Sequence, residues 1–137
     1  MDDIRELMER QARALNAHDV DALVDCFHED LYSEDFGHPA ASFEGREHLR
    51  RNWELMLAQI PDLKAELRGT AVEGDTVWGE WRIYGSRRDG KLIDLRGVAI
   101  SKVRDGRIAS SRRFLAPVDI GGDSVEEYFQ RLIDPSS

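Results

Sequence analysis

From Leu63 to Val118 the apolar residues of this chain recur at every second position, and no helical period interrupts them. Three short breaks divide the stretch, at Gly74-Asp75, Asp89-Gly90 and Asp105-Gly106, all residue types that accept the left-handed backbone of a tight hairpin. The reading is four long strands, over 63–73, 76–86, 92–104 and 107–118, joined as an antiparallel meander. Strand parity then assigns the faces. Val77, Gly79, Trp81 and Ile83 share one side of the second strand, and Ile93, Leu95, Gly97, Ala99, Ser101 and Val103 one side of the third. These sets are expected to look inward. The opposite sets mix charge with Trp78, Tyr84, Val98, Ile100 and Phe114, more apolar surface than a solvated sheet face carries, so a subunit interface is expected there.

Everything before Pro61 is helical in period or broken. Ile4, Leu7, Met8, Ala12 and Leu15 fall on one face of a first helix, with Asp2 or Asp3 placed to cap it. Asp19 is positioned to cap a short second helix carrying Val20, Leu23, Val24 and Phe27, whose end places His28 near the helix terminus. A strand over 31–35 breaks at Gly37 and Pro39. A third helix then starts after Gly45, carries Leu49, Trp53, Met56, Leu57 and Ile60, and stops at Pro61. After Gly121-Gly122, Asp123 is expected to cap a last helix with Val125, Tyr128, Phe129, Leu132 and Ile133. Helices followed by a curved sheet imply an α+β fold with the helices on one sheet face. The whole chain, 1–137, reads as one domain, with 119–137 as a helical extension.

Composition narrows the function classes. A net charge of −8 and a pI near 5.0 disfavour nucleic acid and anionic membrane surfaces as partners. Cys26 is the single cysteine and reads as a small core residue, so no disulfide framework is expected. The four histidines, at 18, 28, 38 and 48, have no metal-ligand spacing, and neither a metal nor a cofactor is expected. No membrane-spanning run or secretory leader is visible in the sequence, so a cytoplasmic location is the expectation.

The segments LNAHDVDALVDCFHEDLYSED, FEGREHLRRNW and VRDGRIASSRRF, in this order and spacing, resemble the nuclear-transport-factor-2-like superfamily of cone-shaped, cystatin-like α+β domains. That group includes ketosteroid isomerase and the SnoaL-type polyketide cyclases. The resemblance spans about residues 3–118 and implies a homodimer paired through the outer sheet face. It also places Asp35 where ketosteroid isomerase keeps its general-base aspartate; the isomerase itself is a standard example of pKa tuning. The isomerase's oxyanion donors are replaced here, by Gln11 and Ala99. The water-activating set of limonene epoxide hydrolase is replaced as well, by Trp81, Ile83 and Arg113.

A lone carboxylate at the mouth of an apolar cone can act as a base, which is the case for Asp35; the alternative is a carboxylate ending a strand in water. Arg113 faces inward by parity and by resemblance. As a buried cation it would need a partner, either Asp35 or a substrate carboxylate. His38 follows Asp35 in the loop and can orient it or donate to a substrate oxygen. Trp53 and Trp81 either line the cavity or fill the core, and Tyr32 could offer a hydroxyl near its mouth. The expected function is a cofactor-independent acid/base enzyme of isomerase, cyclase or hydrolase type. Its ligand would be a small hydrophobic or polyketide-like molecule. The competing expectation is a non-catalytic ligand-binding or dimerisation module of the same fold.

Overall fold

The computed structural model of the chain describes residues 2–118 and 121–136. Its elements run α1 (Asp2–Ala17), α2 (Val20–Asp25), β1 (Phe27–Asp35), a 3-10 turn (Pro39–Ala41), β2 (Phe43–Glu44) and α3 (Arg46–Gln59). They continue with β3 (Lys64–Glu73), β4 (Thr76–Ser86), β5 (Leu92–Arg104), β6 (Arg107–Pro117) and α4 (Val125–Ile133). The strands form one mixed sheet in the order β2-β1-β6-β5-β4-β3. All neighbours are antiparallel except β1 and β6, which run parallel because the chain passes through β2, α3 and the β3–β5 meander between them.

The meander forms where the alternation and its turn residues place it. Gly74, Gly90, Asp105 and Gly106 all take positive φ at the hairpin ends. Inside β5, Gly97 opposes Trp81 on one side and Leu115 on the other. A β-carbon there would stand 1.9 Å from the Phe114 carbonyl oxygen, so only glycine lets the two strands come this close.

The helices cover the inner face. Met8, Leu15, Leu23, Phe27, Leu31, Ile60, Leu63, Val77, Trp81, Ile83 and Ile108 belong to one buried cluster. Polar ties fix α1 against β3: the Asn16 side chain accepts from the Ala65 N–H at 2.8 Å and donates to its carbonyl at 2.9 Å. Asp19 accepts from the Ala22 N–H at 3.0 Å and caps α2 as its position predicts.

Three expectations need correction, for Phe27, His28 and Asp123. The first strand begins at Phe27, so Phe27 and His28 leave α2, and the His28 ring lies 3.3 Å from the Arg104 guanidinium instead of at a helix end. Cys26 is the turn between the two elements and is fully buried. The last helix is capped by Ser124, which accepts from the Glu127 N–H, while Asp123 pairs with Arg131. The capping position of α1 and residues 119–120 of the C-terminal extension lie outside the described residues. No helix among the described residues is long and apolar enough to cross a membrane.

Candidate functional site

Between α1, α3 and the concave sheet face lies a cavity of about 520 Å³. The side-chain rows on β1, β6, β5 and β4 set its inner wall. Ser33, Ser111, Ser101 and Val77 stand side by side in one row across the four strands, and Asp35, Arg113, Ala99 and Gly79 in the next. Beyond these come Leu115, Gly97 and Trp81, then Pro117, Leu95 and Ile83. Buried Leu23, Phe27 and Ile108 close the deep end, while exposed His38, Ala41, Leu55 and Pro117 mark the mouth. Trp53 and Met56 of α3 and Met8 and Gln11 of α1 complete the lining.

Asp35 and Arg113 are register partners at the parallel β1–β6 junction. Their side chains approach to 3.8 Å, an ion pair without a hydrogen bond. Each carries its hydrogen bonds elsewhere. The Arg113 Nε donates to the Ser33 hydroxyl at 2.8 Å and Nη2 donates to the Ala41 carbonyl at 3.5 Å, while the guanidinium carbon sits 5.4 Å from the Phe43 ring centroid. Asp35 Oδ1 accepts the His38 backbone N–H at 3.0 Å, and the Asp35 N–H donates to the Ser42 hydroxyl at 3.0 Å. Oδ2 accepts no hydrogen bond among the described residues. Burial pushes the Arg113 pKa below the usual arginine range, and the Asp35 charge opposes that shift. A desolvated cation 3.8 Å from a carboxylate oxygen with open lone pairs is an arrangement able to take a proton and hold the negative oxygen left behind.

The cavity wall brings Asp35, His38, Trp53, Trp81 and Arg113 together. Trp81 is 95% buried yet still presents an edge to the cavity, so packing the core and lining the pocket are one role for it. The His38 ring is exposed, with Nδ1 3.7 Å from Asp35 Oδ1, and its backbone N–H, not its ring, makes the hydrogen bond. Tyr32 does not belong. It is 44% exposed on the outer sheet face, because the one-residue alternation of β1 turns Ser33 and Asp35 inward and Tyr32 and Glu34 outward. Arg46 donates to the Phe27 carbonyl at 3.3 Å and so ties α3 to β1. No cluster of metal-ligating side chains occurs among the described residues.

Five polar residues of the site were not singled out from the sequence as ligand contacts: Asn52, half-buried, and Gln11, Ser33, Ser101 and Ser111, all buried. Ser101 and Ser111 share a hydrogen bond at 3.2 Å, and among the described residues the Gln11 amide reaches only the Met8 sulfur, at 3.5 Å. The signal available for Ser101 was its inward parity.

Residues 8–111 match the family model described as the SnoaL-like domain. No curated protein matches the chain significantly. Among solved structures, a protein from Jannaschia proposed to be a SnoaL-like polyketide cyclase superposes with a TM-score of 0.71 at 21% identity, over 82% of this chain and 85% of that one. A protein from Catenulispora acidiphila with a ketosteroid isomerase-like fold, solved in complex with trimethylamine, gives 0.67 at 20% identity, over 78% and 82%. An uncharacterised cystatin-fold protein from Novosphingobium aromaticivorans gives 0.67 at 20%, over 81% and 95%. At these identities the structural likeness establishes the cone-shaped fold.

Proposed function

We propose, from the premise that this chain belongs to the SnoaL-like domain family, that it is a cofactor-independent acid/base enzyme of isomerase, cyclase or hydrolase type. Its substrate is a small hydrophobic or polyketide-like molecule bearing a carbonyl oxygen. The observation that carries the reading is that Asp35 Oδ2, free of hydrogen bonds among the described residues, and the Arg113 guanidinium stand 3.8 Å apart in one apolar cavity. Asp35 takes the proton from the carbon next to the carbonyl. The C–H electron pair becomes the enolate double bond, and the carbonyl oxygen gains the negative charge beside Arg113. Asp35 then returns the proton to a different atom of the substrate, or the enolate carbon adds to a second carbonyl carbon of the same molecule, whose C=O π pair passes to its oxygen and takes the proton back from Asp35. Trp53 and Trp81 bound the flat apolar part of the substrate, and His38 stands at the entrance.

The ion pair supports a second reading. A carboxylate already next to a guanidinium also suits a ligand-binding module that performs no chemistry. Hydrogen–deuterium exchange at the α-carbon of enolisable ketones such as 1-tetralone, together with hydrolysis of an epoxide panel, separates the two. Native protein is expected to accelerate at least one of these reactions, and Asp35→Asn to lose it. Equal rates in both proteins, including no rate in either, remove the catalytic reading and leave the binder.

The partner we infer for the outer sheet face is a second copy of the chain. Support comes from Trp78, 46% exposed, lying in register with Ile100 on the face that also carries Val98 and Phe114. Sedimentation of native protein is expected to give a dimer and Trp78→Arg a monomer. A native monomer would exclude this assembly.

A further inference from the structure

The row of three serines raises a question of hydrogen-bond accounting that the Asp35–Arg113 pair does not answer. Ser33 is 3% exposed, Ser101 2% and Ser111 8%, and all three line the cavity from adjacent strands β1, β5 and β6. Ser101 and Ser111 own two hydroxyl hydrogens between them and can use only one in the bond they share. The other has no acceptor among the described residues, whichever of the two carries it. Ser33 accepts from Arg113 through its oxygen, which leaves its own hydrogen without an acceptor too. Buried donors left unmet cost free energy, and here the cavity is the open side of each.

We propose that this serine row is a second recognition element of the pocket, deeper than the Asp35–Arg113 pair, selecting ligands that present two neutral oxygen acceptors along one edge. The hydrogens this strip leaves uncommitted are those of the Arg113 guanidinium, the Ser33 hydroxyl and one hydroxyl of Ser101 or Ser111, and an edge of acceptors is what satisfies them. The matching ligand edge is therefore carbonyl-like. The Ser101 and Ser111 hydroxyls, 3.2 Å apart, act as one donor, and Ser33 on the neighbouring strand, about 4.8 Å across from Ser111, is the second, roughly the interval between two oxygens set in 1,3 relation on a ring. The facing wall, from Trp53 and Met56 of α3, and the further rows of the sheet, with Trp81 and Leu95, are apolar and receive the rest of the ligand. The ligand class is thus a flat, largely hydrophobic 1,3-dicarbonyl or a molecule that places its oxygens likewise. This inference rests on the pocket of the proposed function but not on Asp35 acting as a base.

Two probes that cannot form an enolate at the carbon between or beside their carbonyls isolate recognition from chemistry: 2,2-dimethyl-1,3-indanedione and its monoketone, 2,2-dimethyl-1-indanone. Calorimetric titration of native protein is expected to show the diketone binding about tenfold more tightly, the size of one net hydrogen bond. In Ser101→Ala/Ser111→Ala the advantage disappears while monoketone affinity holds. The pair Ser101→Cys/Ser111→Cys, close in shape but weak as a donor, gives the same loss and guards against a folding defect in the first variant. No advantage in native protein, or one that survives both variants, overturns the serine row and leaves the proposed function standing. Failure of both probes to bind native protein removes the pocket reading and the row with it.

Discussion

The two faces of the central sheet carry charged and polar groups in opposite states. On the outer face Asp94 is saturated: Arg82 donates to it through Nε and Nη2 at 3.2 and 3.1 Å, and Arg96 through the same two nitrogens at 3.3 and 3.0 Å. The Arg82 guanidinium also stacks 4.0 Å from the Tyr84 ring centroid, so the cluster is complete by itself. On the inner face the Asp35–Arg113 pair is 3.8 Å apart, and Asp35 Oδ2 and two serine hydrogens stay uncommitted among the described residues. A polar group whose bonding capacity is filled by its neighbours holds a fold together. One left open toward an apolar cavity has bonding to offer a guest.

The largest effect that would sharpen this contrast is a stability difference between two tryptophans three residues apart. Trp81→Ala empties volume under α1 and is expected to cost about 3–5 kcal/mol in denaturant unfolding. Trp78→Ala is expected to cost the isolated subunit less than about 1 kcal/mol, because half its surface is already in solvent. Similar losses at both would break the distinction between the faces.

Next come the two aspartates. Asp35→Asn is expected to lower turnover about 100-fold or more, the usual scale of general-base catalysis, with thermal stability nearly unchanged. Asp94→Asn should do the reverse, leaving turnover in place and lowering the unfolding temperature. Activity that follows Asp94 more than Asp35 would invert the assignment.

Acid titration gives a gentler effect. Hydrogen bonds from Arg82 and Arg96 hold the Asp94 pKa at about 2, below its ordinary 3.8. Since the folded value is the lower one, the contribution of the cluster is complete above the unfolded pKa and is lost as pH falls through about 2. Circular dichroism between these limits should therefore show native protein losing stability more steeply than Asp94→Asn. Parallel curves would show that the cluster contributes nothing to acid stability.

How much of this could be read in advance differs by residue for physical reasons. The meander was legible because its turns demand particular residues and its alternation lasts over β3 to β6. The start of β1 was not, since Phe27 and His28 continue the apolar spacing of α2 and only the pairing of Phe27 with Ile108 decides for strand. Asp35 and Arg113 could be placed on the inner wall from parity and resemblance. Tyr32 could not be kept with them, because a strand alternates at every residue and a neighbour of Ser33 must face the other way. The serine row escaped because serine has no strong burial preference. Only the register of β6 against β1 on one side and β5 on the other shows that three of them meet.

The central claim is that the inner face encloses room for a guest rather than a filled core. Fluorescence titration of Trp78→Phe, which silences the outer reporter and leaves Trp53 and Trp81, measures this with 1-tetralone as the guest. A saturable change is expected, and it should vanish in Trp78→Phe/Ala99→Leu, where added side-chain volume occupies the cavity between Arg113 and Gly79. A titration that stays flat, or one that Ala99→Leu leaves untouched, would contradict the account.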